Sequence, residues 1–410
     1  MDQKKLYKTV EAIASQNFTS EQEMLVSVLN QLIEHEAINI TGGRIWKFNA
    51  GEMSYDLIFQ TGQVEKIDSG FQLKVDGYPL FDILAKERTI LGNETNETLR
   101  QKGIFRYSAT GVGDKIKIDK KAFYEYLLAF NSDDINEDFR ITLNIIATAI
   151  TSQIKQKRYS QKAKLLKADL DKARELQKSI LPAHEYRFRN YELFGITDPA
   201  EIVGGDFFDY LEIGEESDRF GVVVGDAASK GVSAAAEAMY ISGAIRMASS
   251  FEIKIYTLMK RMNQLVNKIF ADDKFASLFY GELSNDKSGL FLYSNAGHNP
   301  PIFVKHNSED VILLNPTGPV LGPTANTKYT VENINFATGD VLLIYSDGVT
   351  ESANTEFNSY GEERLKEVLL KNKSLTPKEI TYAILNDVLE FSKNGKYTDD
   401  KTLVVIKKIA

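Results

Sequence analysis

From Glu21 to Ile40 the apolar residues Met24, Leu25, Val28, Leu29, Leu32 and Ile33 recur every three or four positions, which predicts a helix with one buried stripe. Shorter strand-like runs follow, Arg44 to Phe48 and Ser54 to Gln60, and then an amphipathic helix near Phe139 to Ile154. Over residues 151–181 the period tightens. Tyr159, Ala163, Leu166, Leu170, Ala173, Gln177 and Ile180 repeat at alternating four- and three-residue steps, the a/d seam of a parallel two-helix coiled coil. Ala and Gln in three heptads make that seam weak, and Pro182 ends it.

Beyond Pro182 the pattern becomes one of short apolar runs and separate helices. Phe275 to Leu283 and Leu290 to Ser294 flank a polar turn and read as a hairpin, as do Pro301 to Lys305 and Val311 to Leu314. Helices are expected over Val232 to Met247 and over Ile255 to Phe270, with Tyr256, Met259, Met262, Val266 and Ile269 on the buried face. Thr376-Pro377-Lys378-Glu379 is a capping box opening a helix that runs to about Lys393. Hairpins with helices set apart predict an α+β fold.

Four acidic turns stand beside the apolar runs: Gly204-Gly205-Asp206, Gly225-Asp226 after Phe220 to Val224, Ser346-Asp347-Gly348 after Val341 to Tyr345, and Asp399-Asp400 before Leu403 to Ile406. Carboxylates gathered at strand ends repel one another unless cations lie between them, and an all-oxygen donor set suits Mg²⁺ or Mn²⁺ better than zinc. Glycine beside Asp206, Asp226 and Asp347 lets the backbone approach an ion closely.

With these strings, in order, come Ile180-Leu181-Pro182, Gly204-Gly205-Asp206-Phe207-Phe208-Asp209, Asn295-Ala296-Gly297-His298-Asn299-Pro300-Pro301, Gly318-Pro319-Val320-Leu321-Gly322 and Asp399-Asp400-Lys401-Thr402. From about Ile180 onward the chain resembles the PPM-type, protein phosphatase 2C-like, metal-dependent serine/threonine phosphatases, in their bacterial SpoIIE-like branch. The resemblance implies an antiparallel β-sandwich flanked by helices and a two-ion site. It implies that Asp226 bridges the ions, that Ala227 offers its backbone carbonyl, that Asp206 holds one ion and that Asp347 and Asp399 hold the other, with Asp206 and Asp226 the catalytic pair. Asp399 is preferred over Asp400 because the family pattern puts the ligand first. The loop of Asn295, Gly297 and His298 is a candidate substrate loop, and a structural role for His298 is the simpler reading. The branch follows its central Gly-Asp with Val-Ser-Gly-His/Lys-Gly, whereas here Ala227-Ala228-Ser229-Lys230-Gly231 stands, so Ser229 is expected to stiffen that loop. The string Gly204 to Phe208 also invites a diguanylate-cyclase reading, which fails because Phe207 stands where an acid is required. The order of elements before residue 150 resembles an α/β GAF sensory domain.

Composition narrows the chemistry. The 410 residues carry a net charge of −8, which argues against nucleic acid as the main ligand. There is no cysteine, so disulfides, thiolate metal sites and a cysteinyl-phosphate mechanism are excluded. The connector has nine Lys or Arg against three Asp or Glu, read as a solvated face. Met1-Asp2-Gln3-Lys4-Lys5 lacks a following signal-peptide core, and no run approaches the ~20 apolar residues of a membrane helix. The expectation is a cytoplasmic homodimer with a GAF-like sensory or dimerisation domain (1–150), a coiled-coil connector (151–181) and a phosphatase domain (182–410). The expected substrate is a phosphoserine or phosphothreonine regulatory protein such as an anti-anti-sigma factor, with neither nucleic acid nor membrane as partner. The competing readings are a catalytically silent, partner-binding phosphatase fold and a ligand-sensing protein with a regulatory C-terminal domain.

Overall fold

The computed structural model describes residues 18–34, 40–76, 78–102, 104–132, 135–214, 218–270, 274–285, 288–395 and 399–409. The expectations about Met1 to Lys5, the helix over residues 35–39 and the turn at 286–287 lie outside the described residues. The chain divides into two units, Met1–Leu165 and Leu166–Ala410.

In the first unit a helix, α1 (Glu21–Glu34), precedes β1 (Ile40–Asn49) and β2 (Ser54–Gly62). The expected helix does not reach Ile40, which opens a strand. Next come β3 (Gln72–Lys74), α2 (Leu80–Glu87), β4 (Thr89–Asn93), α3 (Glu97–Gln101), β5 (Arg106–Ile118) and β6 (Lys121–Ser132). They make one antiparallel sheet in the order β3-β2-β1-β6-β5-β4. Alternation along the strands gives the sheet two buried faces. Ile45, Leu128 and Phe130 pack with α1 and with Leu143, Ile146 and Ile150 of a long helix, α4 (Glu137–Ile180). Trp46, Phe48, Tyr55 and Leu127 pack on the other face with Phe81 and Leu84 of α2.

Helix α4 is 44 residues long and continuous, so the predicted helix near Phe139 and the connector are one element. Its expected seam does not present one uniform face. Tyr159 and Leu166 are exposed, while Gln177 is buried.

The second unit is an α-β-β-α sandwich. One sheet has the order β15-β12-β11-β10-β9, built from β9 (Asp206–Ile213), β10 (Arg219–Ala227), β11 (Ala276–Ser284), β12 (Leu290–Ala296) and β15 (Glu332–Asn335). The other has the order β14-β13-β16-β17-β8-β7, built from β7 (Glu185–Phe188), β8 (Tyr191–Asp198), β13 (Ile302–Val304), β14 (Val311–Leu313), β16 (Val341–Tyr345) and β17 (Lys401–Lys408). Phe208, Val222, Val224, Phe279, Leu342, Ile344, Val404 and Ile406 interdigitate between the sheets. Outside the five-stranded sheet lie α5 (Gly231–Ser249) and α6 (Ile255–Ile269). Outside the six-stranded sheet lie α8 (Glu362–Asn372) and α9 (Pro377–Phe391), after a single-turn helix α7 (Asp347–Thr350). The predicted α+β class and both hairpins are present. Thr376 and Glu379 form the capping box. Tyr256 and Ile269 are exposed, because the buried face of α6 runs through Leu258, Met259, Met262, Asn263 and Val266.

Candidate active site

The acidic turns meet at one mouth of the sandwich because of strand register. Asp206 opens β9 and pairs directly with Asp226 near the end of β10, which in turn pairs with Ser277 on β11. On these strands the even positions Phe208, Val222 and Val224 face the second sheet. The same parity directs Asp206 and Asp226 into the gap between sheets. From the other side, Asp347 follows β16 as the first residue of α7, and Asp399-Asp400 precede β17. Strands β16 and β17 are neighbours, and Ser346 ties their ends together. Its amide donates to the Thr402 carbonyl (3.0 Å), while its hydroxyl donates to the Asp400 carbonyl (3.1 Å) and accepts from the Thr402 amide (2.9 Å).

Electrostatics show what this crowding does. Burial, together with Asp347, Asp399 and Asp400, pushes the Asp226 carboxyl up to about 7. Burial and the adjacent Asp226 also raise Asp206, although the hydroxyls of Ser346 and Thr402 lie against it and favour its charged form. Burial, Glu351 and Asp399 raise Asp347. Asp226 feels acids from both sheets. Lys230 lies 3.9 Å from Asp399, but its side chain is mostly exposed, so it screens little of this repulsion.

The two residues of the Asp399-Asp400 pair do different things. The Asp400 carboxylate is spent on backbone amides, accepting from Ala200 (2.8 Å), Gly205 (2.6 Å) and Asp206 (3.3 Å). Asp399 is half-buried; its carboxylate accepts from the Asp400 amide (2.9 Å) and lies near Lys230. Glycine is required at two places here. A Cβ on Gly204 would lie 2.2 Å from Asp400 Oδ2, and one on Gly348 would lie 2.0 Å from the Asp400 carbonyl. A Cβ on Gly205 would lie 2.8 Å from the Ala227 carbonyl, which places that oxygen beside the Gly205-Asp206 turn.

The donor set fits a hard divalent cation. Asp206 Oδ2 is buried with no hydrogen-bond partner, and the acids around it raise one another's pKa values. Among the described residues no three acidic or histidine side chains form a ready-made ligand cluster.

His298 is placed differently. It is 2 % exposed, its Nδ1 is 2.7 Å from Ser277 Oγ, and its Nε2 is buried without a hydrogen-bond partner among the described residues. Burial holds the imidazole down at about 4, so it is neutral near pH 7. Asn295 closes the loop around it, accepting from the His298 amide (2.8 Å) and donating to the carbonyls of His298 and Leu314. Gly297 has φ +65°, and a Cβ there would lie 2.6 Å from Val320. These three residues brace the strand beside Asp226.

Two further residues escaped the motif reading. Gln177, near the end of α4, grips both sides of Gly204: its Nε2 donates to the Gly204 carbonyl (2.7 Å), and its Oε1 accepts from the Gly204 amide (3.2 Å). Arg246 of α5 forms a bidentate pair with Asp209 on β9 and donates to the Ile180 carbonyl (2.5 Å). The only sequence signal for Gln177 was a polar residue in an otherwise apolar seam. Ser229, where the branch has glycine, donates to Glu237 of α5 (3.1 Å), which also holds Lys274.

An antiparallel sandwich with helices outside is the protein phosphatase 2C-like fold. The SiaA-PP2C domain of Pseudomonas aeruginosa has the same fold, with a TM-score of 0.51 at 19% identity over 60% of this chain and 98% of that one. Residues 216–408 match the family described as Stage II sporulation protein E (SpoIIE). Asp226, Asp347 and Asp399 fall inside the matched segment, and Asp206 lies just before it. The chain is 26% identical over 301 residues to protein IcfG of Synechocystis sp., covering 66% of this chain and 45% of that one. It is 23% identical over 243 residues to the phosphoserine phosphatase RsbU of Bacillus subtilis, covering 59% of this chain and 71% of that one. It thus spans less than half the length of IcfG.

Proposed function

We propose that this chain is a metal-dependent protein serine/threonine phosphatase of bacterial signalling, acting on a phosphoserine or phosphothreonine of a regulatory protein such as an anti-anti-sigma factor. The observation that carries the reading is the set of buried and half-buried acids at the sandwich mouth, with Asp226 raised by acids at the ends of the second sheet and Asp206 Oδ2 buried without a hydrogen-bond partner. The family match and the likeness to a phosphoserine phosphatase support the substrate class. In this reading Asp206 and Asp226, with the Ala227 carbonyl, hold one side of a two-ion Mg²⁺ or Mn²⁺ site, and Asp347 and Asp399 hold the other. Bound ions of this kind supply a hydroxide at neutral pH and neutralise the phosphoryl oxygens.

The chain's own residues provide the rigidity. Asp400 fixes the Gly205-Asp206 turn through three amides, and Ser346 fixes the spacing of the strand ends. Lys230 offers positive charge at the rim. His298 is a brace, because a neutral, buried imidazole bound to Ser277 is poorly placed to protonate a leaving group. We assign residues 1–150 to a GAF-like regulatory module, 151–181 to a connector and 182–410 to catalysis, in a cytoplasmic homodimer. Gln177 supports control through the connector, since a shift of α4 would move Gly204. Among the described residues no helix is long and apolar enough to cross a membrane. The test is hydrolysis of a phosphoserine peptide with Mn²⁺, with chelator, and with Asp226→Asn. Activity that survives excess chelator would overturn the reading. Inactivity under every metal condition would favour a silent, partner-binding module.

A further inference from the structure

On the sheet face of the first unit that carries Trp46 and Tyr55 there is a cavity of about 70 Å³ that opens at a wider mouth. Its walls are apolar and aromatic, formed by Trp46, Tyr55, Phe81, Tyr107 and Leu127. Arg44 also lines it. Strand alternation puts Arg44 and Trp46 on the same face of β1, and the side chain is 4 % exposed. A guanidinium has five N–H donors in a planar fork and needs acceptors for them when it leaves water. Arg44 has few. Nη2 donates to the Glu65 carbonyl (2.5 Å), Nη1 reaches Asn131 Oδ1 at 3.4 Å, and Nε is buried with no acceptor. Among the described residues no carboxylate forms an ion pair with it, and burial pulls its pKa below the usual range despite the charge on Glu65.

The cavity's acid is in the opposite condition. Glu94 accepts from the Tyr78 hydroxyl and from the amides of Thr95 and Asn96, both at 2.8 Å. Its charge is met by the protein, and it calls for no cation. The uncompensated group is the guanidinium. We propose that the first unit binds a small apolar carboxylic acid, its hydrocarbon part among Trp46, Tyr55, Phe81 and Tyr107 and its carboxylate at Arg44. Planar carboxylates match the guanidinium fork, and a dry aromatic wall strengthens the contact. The proposal does not depend on the phosphatase reading.

Trp46 is the single tryptophan of the chain, so intrinsic tryptophan fluorescence of the full-length protein reports on this cavity alone. The probes are 3-phenylpropionate, the isosteric 3-phenylpropionamide and 2-phenylethylamine. The expected result is a saturable change with the acid and binding of the amide and amine weaker by about tenfold or more. Arg44→Met should remove the preference for the acid while leaving the ligand-free melting temperature unchanged or higher, because an unpaired buried charge is lost. Arg44→Lys should keep the preference but weaken it. Equal affinity for acid and amide, tighter binding of the amine, no saturable response, or an intact acid preference in Arg44→Met would each overturn the proposal. Failure of both variants to fold would do so too, by making Arg44 a structural stitch to the Glu65 loop.

Discussion

In the C-terminal unit Asp206 and Asp226 crowd at the ends of paired strands, next to the hydroxyls of Ser346 and Thr402. In the N-terminal unit Arg44 lies within a strand, against aromatic side chains and with few acceptors. Both regions bury charge without an opposite charge to meet it, yet their surroundings differ. A mouth of carboxylates and hydroxyls suits an ion that arrives with water. A dry aromatic wall suits an organic anion that leaves its water behind. Burial alone is therefore a poor guide to what a site takes, and the chemistry of the neighbouring side chains decides.

The strongest way to break this comparison is Asp226→Asn, which should lower kcat by about a thousandfold or more if the residue works as part of a catalytic unit. Near-wild-type turnover would remove Asp226 from the centre. Next, Asp399→Asn should raise the Mn²⁺ concentration for half-activation by about ten- to a hundredfold with little change in melting temperature. Asp400→Asn should do the reverse, costing about 1–3 kcal/mol of stability because amides now held by a carboxylate are left poorly satisfied. Identical behaviour of the two variants would refute the division of labour within the pair. Gln177→Leu should lower metal-dependent activity by a smaller factor, about three- to tenfold for roughly a kcal/mol of lost positioning. Gln177→Glu, which cannot donate to the Gly204 carbonyl, should resemble it, and wild-type metal titrations for both would make the grip on Gly204 incidental.

The smallest effect concerns pH. A carboxyl raised from 3.8 to about 7 binds its proton in the folded chain at pH values where the unfolded chain has lost it. Metal-free protein should therefore lose stability as pH rises from about 4 to 7, by about 5 °C or more in melting temperature. Mn²⁺ should flatten that slope. A metal-free melting curve that rises over this window would contradict the burial described for Asp226.

The acidic mouth was legible in sequence because turns that require glycine travel with the acids: Gly204 and Gly348 approach Asp400, and Gly225 makes room for the Phe207 ring beside Asp226. The capping box at Thr376 and the helix at α5 were legible for similarly local reasons. What local pattern could not show is the partner across space. Gln177 reads as a seam residue until its amide is seen on Gly204, and Arg44 reads as an ordinary strand residue until its wall is assembled. The end of α1 was overrun because Ile40 fits a helical stripe and a strand equally well. On α6 the middle of the expected stripe, Met259, Met262 and Val266, is buried, but its ends Tyr256 and Ile269 lie in solvent because the buried face also takes in Leu258 and Asn263.

The bond from the Gly205 amide to Asp400 joins residues 195 positions apart, and β17 enters its sheet between β16 and β8. Such a contact forms only after a long loop has closed and the middle of a sheet has been filled, which makes it slow and late in folding. Partly folded forms of this unit would then lack an organised acidic mouth. An ion that spans both sheets would act as a clasp on that loop, slowing unfolding more than it speeds folding, because the contacts it holds are the last to form.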